Sequence, residues 1–121
     1  MLPAPNRLRD RADFTSAVRG PGSTRAGSRL VVVHANQTDA RAGHPARVGF
    51  VVSKAVGGAV VRNRTKRRLR AVLAGGIDTV PDGVDLVVRA NPPAALASFG
   101  ELTANVKPLV DKVIRRLERA S

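Results

Sequence analysis

The sequence predicts an α+β fold, a two-layer α/β sandwich in which helices pack against one small sheet. Two patterns predict it. Short runs rich in β-branched residues, LVVVHA at 30–35, VGFVV at 48–52 and VDLVV at 84–88, are bounded by turn residues as buried strands are. Longer stretches, 59–74 and the segment after Ser98, repeat apolar residues at the 3.6-residue period of a helix. In chain order the elements read helix, two or three strands, helix, strand, helix.

Each element has a local reason. Asp10 is placed to cap a helix through Val18, with Phe14, Ala17 and Val18 on one apolar stripe. In 59–74, Val61, Thr65, Leu69, Val72 and Leu73 share one side. The last helix opens on Ser98 and Glu101, a capping-box pair. Leu102, Val106, Leu109, Val113, Ile114 and Leu117 then line one face, with a kink expected near Pro108. Segments 20–27, 38–45, 75–83 and 91–98 are rich in Gly, Pro, Asp or Asn and read as loops. Residues 1–121 are expected to form a single domain, because smaller units could not each bury a core.

Charge narrows the function. Lys and Arg number 21 against nine acids, giving a net charge of +12 and a pI near 11.9, so the expected partner is a polyanion. Seventeen of the 21 are Arg, whose planar fork grips phosphate and stacks on bases, although base composition of the genome also raises Arg counts. The absence of Cys excludes disulfides and thiolate zinc sites. The start, MLPAPNRLRD, lacks the apolar core of a signal peptide, and no run approaches the ~20 apolar residues of a membrane span. A cytoplasmic location and no membrane partner are expected.

The segment RNRTKRRLR, Arg62 to Arg70, is the most informative, with six basic residues in nine. At about 100° per residue, Asn63, Lys66, Arg67 and Arg70 project away from the apolar stripe, and Arg62 and Arg64 lie on its flanks. A solvated helix face is the ordinary reading of a charge run. Here like charges stand at i and i+4, Arg62 with Lys66 and Lys66 with Arg70, with no acid in the segment to relieve them. An external anion explains that arrangement better, and nucleic acid supplies one. Asn63 offers both donor and acceptor to a ribose, which suits RNA without excluding DNA.

The run RVGFVVSKAVGGAVVRNRTKRRLR, Arg47 to Arg70, resembles the signature of bacterial ribonuclease P protein subunits: a strand, a Ser-Lys turn, then the Arg-Asn-Arg helix. Arg7, Leu8, Asp13 and Phe14, the strand LVVVHA and the final helix also fit, so the resemblance covers almost the whole chain. It implies a four-stranded sheet with three helices in the order α-β-β-β-α-β-α, and a left-handed βαβ crossover against the usual handedness. It also implies contact with a catalytic RNA through Lys54, Arg62, Asn63, Arg64, Lys66, Arg67 and Arg70. A cleft between the first helix and the sheet would hold the 5′ leader of precursor tRNA at Phe14, Val18, Leu30, Val32, His34 and Phe50. The activity implied is magnesium-dependent endonucleolytic removal of that leader. Magnesium would be held mainly by the RNA subunit, with no organic cofactor and neither catalytic nor metal-binding residues in this chain. One protein per RNA and a monomeric free protein are expected.

The sequence departs from the family in two places. Family members often carry two Lys after the Ser, whereas Lys54 is followed by Ala55. The chain has three Phe and no Tyr or Trp, so few positions can stack a base, and leader contact should rest on backbone, aliphatic and Arg groups.

Weaker signals read structurally. His34 and His44 have no ligand-spaced companions, and Asp10 with Asp13 suits capping and the helix dipole better than a cation. Gly57 and Gly58 lack the rest of a phosphate loop and mark a tight turn. The basic amphipathic C-terminal helix is read as a lid on the core rather than a membrane binder. The rival functions are a structural RNA-binding protein of ribosomal type and a membrane-active basic protein.

Overall fold

The computed structural model describes residues 2–120. Its sheet has four strands in the order β1-β2-β4-β3, with β1 Thr24–Gly27, β2 Val31–Gln37, β3 Arg47–Val51 and β4 Val84–Ala90. Helix α1, Arg11–Arg19, precedes β1; α2, Ala59–Ala74, links β3 to β4; and α3, Phe99–Ala120, follows β4. The order is therefore α-β-β-β-α-β-α. β2 pairs antiparallel with both β1 and β4, while β3 and β4 are parallel and are joined through α2.

Strand alternation separates the two faces. Val31, Val33 and Ala35 of β2, Val48 of β3, and Leu86 and Val88 of β4 join Leu102, Val106 and Val113 of α3 in the main core. On the opposite face Val87 packs with Ala17 of α1 and with Leu8, flanked by Phe14, Val18 and Val51. β4 is thus covered on both sides, which is why its sequence reads as a nearly continuous apolar run.

Local signals place the helices. α2 spans 59–74 as its period predicts. The capping box of α3 is made in both directions: Ser98 N–H donates to Glu101 Oε1 at 3.0 Å, and Glu101 N–H donates to Ser98 Oγ at 3.1 Å. That bonding holds the exposed Glu101 carboxyl below the usual carboxylate range. α3 continues through Pro108 as one helix, and its apolar stripe closes the core as a lid. Asp10 occupies the N-cap position of α1 without a side-chain capping bond.

One expectation about loops is corrected. Residues 24–27 form β1 instead of continuing the loop, paired with β2 through a short hairpin in which Ser28 N–H donates to the Val31 carbonyl at 2.8 Å. TRAG has one buried residue, Ala26, so this edge strand carries no alternation to read. The remaining loops contain single 3-10 turns, at Asp39–Arg41, Ile77–Thr79 and Pro92–Leu96.

Candidate nucleic-acid interface

Helix α2 buries Thr65, Leu69 and Leu73, leaving its charged residues distributed around the rest of its girth. Asn63, Arg67 and Arg70 are exposed, Lys66 is half-buried, and Lys54 is exposed in the turn that follows β3. Among the described residues Lys66, Arg67 and Arg70 form no salt bridge. The helix begins at Ala59 with Gly58 at its N-cap, and the tight turn lies just before it, where Val56 N–H donates to the Ser53 carbonyl and Gly57 N–H to the Lys54 carbonyl.

The two flanks of α2 differ. Arg64 donates to the Ala95 carbonyl at 3.1 Å, and Arg68 donates to the Ala97 carbonyl at 2.9 Å. These two guanidinium groups tie α2 to the segment leading into α3. Arg68 was not singled out by the sequence pattern, and its carbonyl partner lies 29 residues away. Arg62 is half-buried, with its Nε sheltered and without a partner among the described residues.

The other flank faces a cavity of 770 Å³ at the outer edge of β3. Lys66, Arg67 and Arg70 line it from α2, and Arg7 and Arg9 line it from the N-terminal segment. Leu2, Leu8, Phe14, Val48 and Phe50 provide apolar walls. Arg7 and Arg9 escaped the sequence reading as cavity residues because only the tertiary fold brings them opposite α2. The N-terminal segment is held there by Leu8 N–H donating to the Val48 carbonyl at 3.0 Å and by Asn6 Nδ2 donating to the Ala46 carbonyl at 2.7 Å.

The expected cleft between α1 and the sheet is only partly assembled from the residues proposed for it. Phe14 and Val18 project from α1, and Val32 and His34 from the same face of β2. One position is corrected, and a second is only partly in place. Leu30 is 2% exposed in the main core, because it precedes β2 in the hairpin and does not follow that strand's alternation. Phe50 pairs with Val88 and packs against the main core, one residue out of phase with Gly49, which pairs with Val87. Of the other candidates Phe50 meets only Phe14, as walls of the edge cavity.

Gly49 explains how Phe14 sits. A Cβ at Gly49 would collide with the Phe14 ring, so the glycine is the seat on which the ring rests. His34 is 4% exposed, and its Nδ1 has no hydrogen-bond partner among the described residues. Burial, and then the charges of Arg89 and Arg25, lower its pKa, so it is a buried, neutral side chain at neutral pH.

α1 is fastened by polar contacts as well. Arg47 donates from Nε and Nη2 to both carboxylate oxygens of the buried Asp85, at 2.9 and 2.7 Å, and from Nη1 to Asp13 at 3.1 Å. The hydrogen bonds to Asp85 raise the Arg47 pKa further, so the residue is a permanent cation. Asn36 Nδ2 donates to Ser16 Oγ at 2.9 Å beside them. Asp13, in the first turn of α1 as the helix dipole favours, therefore also serves Arg47. Asp13 and Asp85, already spent on a guanidinium, do not fit a magnesium ion, and among the described residues no group of three or more His, Cys, Asp and Glu gathers around one point.

A family model described as Ribonuclease P matches residues 2–114. The chain belongs to the ribonuclease P protein family. It is 48% identical over 116 residues to the ribonuclease P protein component of Kocuria rhizophila, covering 96% of this chain and 98% of that protein. It is 57% identical over 106 residues to the component of Beutenbergia cavernae, covering 88% and 86%. Among solved structures, the ribonuclease P protein of Staphylococcus aureus superimposes with a TM-score of 0.74 at 24% identity, over 90% of this chain and 97% of that one. That of Thermotoga maritima gives 0.70 at 24% identity, over 90% and 96%. These structures share the four-stranded α+β fold of this ribonuclease P family member.

Proposed function

We propose that this chain is the protein component of ribonuclease P, binding the catalytic RNA and the 5′ leader of precursor tRNA and promoting magnesium-dependent removal of the leader. The observation that supports it is the row Lys66, Arg67 and Arg70, uncompensated by acids, directly beside the cleft seated by Phe14. Asn63 and Lys54, both exposed, extend this surface toward the RNA subunit. Such a surface neutralises phosphate repulsion and orients a strand; it holds no group poised to take or give a proton. The catalytic centre and its magnesium are therefore assigned to the RNA subunit. One protein per RNA, a monomeric free protein and a cytoplasmic location complete the reading; no helix among the described residues is long and apolar enough to cross a membrane.

The test is reconstitution. Adding the purified chain to a bacterial ribonuclease P RNA at low magnesium should stimulate 5′ cleavage of precursor tRNA. RNA binding without stimulation would replace this reading by that of a structural RNA-binding protein. Binding to anionic vesicles that competing RNA fails to displace would replace it by a membrane-active one.

A further inference from the structure

We propose that the groove between the end of α2 and the first turns of α3 binds a small apolar carboxylate: one aromatic ring or a short acyl chain ending in a single acid group. This groove is separate from the basic edge cavity. It opens on the other flank of α2, and only Ala71 lines both. It exists because α2 stops at Ala74, and Gly75 and Gly76 lead the chain away into the 3-10 turn Ile77–Thr79, leaving a hollow against α3. A Cβ at Gly76 would meet nothing within 4 Å, so the hollow is open on that side. Leu73, Val80, Val106 and Val110 are buried and form its floor, and Val72 and the ring of Phe99 form its rim. Phe99 is 50% exposed, and of the exposed large hydrophobic residues Val60, Leu96 and Phe99 it alone lines this groove.

The polar groups of the groove select the charge of its occupant. Thr79 Oγ1 donates to the Gly76 carbonyl at 2.7 Å, and Thr103 Oγ1 donates to the Phe99 carbonyl at 2.9 Å, so neither hydroxyl keeps its proton for a ligand. Lys107 is the one charged residue of the lining. It is exposed and forms no salt bridge among the described residues, and Asp111, one turn further along α3, stands outside the groove. A ligand that covers the apolar floor and ends in a carboxylate meets the hydrophobic surface and the ammonium together. At 240 Å³ the groove falls below the about 300 Å³ at which sites for drug-sized ligands begin, which limits it to one ring or a short chain. A nucleotide would find apolar walls where its base edge needs hydrogen-bond partners. A second copy of the chain is opposed by the net charge of +12.

The test titrates phenylbutyrate into the isotope-labelled full chain and follows methyl and aromatic signals by NMR. Signals of Val72, Val106, Val110 and Phe99 should shift together and saturate, while those of Phe14 and Phe50 in the edge cavity stay in place. Lys107→Gln, at an exposed position, should weaken binding about two- to fivefold. The neutral amide of the same acid should bind the parent chain more weakly by a similar factor, and should bind the variant as well as it binds the parent. No saturable shift up to about 10 mM probe would overturn the site. An amide that binds the parent as tightly as the acid would overturn the pairing with Lys107, and with it the proposal. Shifts of the same signals on raising the protein concentration alone would overturn it in favour of a second copy, and displacement of the probe by uridine monophosphate would do so in favour of a nucleotide.

Discussion

The two faces of the sheet are built from different materials. Under α3 the contacts are aliphatic, with Val31, Val33, Leu86 and Val88 meeting Leu102, Val106 and Val113. Under α1 a small apolar cluster is interleaved with a carboxylate–guanidinium–carboxylate chain, an Asn–Ser hydrogen bond and a buried histidine. The first face supplies area-dependent stability that tolerates small shifts. The second depends on direction, and so fixes where α1 and its Phe14 stand relative to the basic helix.

Breaking the aliphatic face should cost most. Leu102→Ala, at a fully buried position, is expected to lose about 2–5 kcal/mol in denaturant unfolding while leaving RNA contacts in place wherever the chain still folds. On the other face, Asp85→Asn leaves Arg47 with Asp13 alone, and about 2–3 kcal/mol of destabilisation is expected. This variant should also weaken leader binding in proportion to the loosening of α1, read as a larger loss of affinity for leader-bearing than for leaderless tRNA.

The flanks of α2 sharpen the contrast. Arg67→Ala should change stability by less than about 0.5 kcal/mol and reduce the salt slope of RNA binding by about 0.7 to 0.9. Arg64→Ala should cost about 1 kcal/mol of stability, since it removes the bond to the Ala95 carbonyl, with a smaller change in salt slope. Equal behaviour of the two variants would show that the flanks are equivalent.

The smallest effect concerns pH. The folded state holds His34 below its ordinary pKa of 6.5, so the unfolded chain takes up its proton first as pH falls. Stability present above pH 6.5 is therefore lost as pH drops through and below that value. His34→Val should flatten this part of the stability curve relative to the parent chain, as measured by chemical unfolding between about pH 7 and 5.

What the sequence made legible was whatever a few neighbouring residues decide. The bounds of α2 and the Ser98–Glu101 cap come from periodicity and a three-residue spacing, and both hold in the fold. β1 was hidden because an edge strand with one buried residue needs no pattern of its own. Leu30 was misplaced because it stands just before β2 in the hairpin, outside the strand's alternation, and the side taken by Phe50 depends on strand register, which the sequence leaves open by one position. Arg47 was seen only as part of a motif. Its partner Asp85 is 38 residues away, and only the parallel pairing of β3 with β4 sets the two opposite one another.

The clasp of the N-terminal segment on β3 has one more consequence. A bare edge strand is a template on which another copy of the same chain can polymerise. Here Asn6 and Leu8 occupy the carbonyls of Ala46 and Val48, so a would-be partner finds too little open backbone to grow a shared sheet. The guanidinium groups around the gap repel a second chain of net charge +12 while attracting a polyanion. The same few residues thus disfavour sheet growth between copies at this edge.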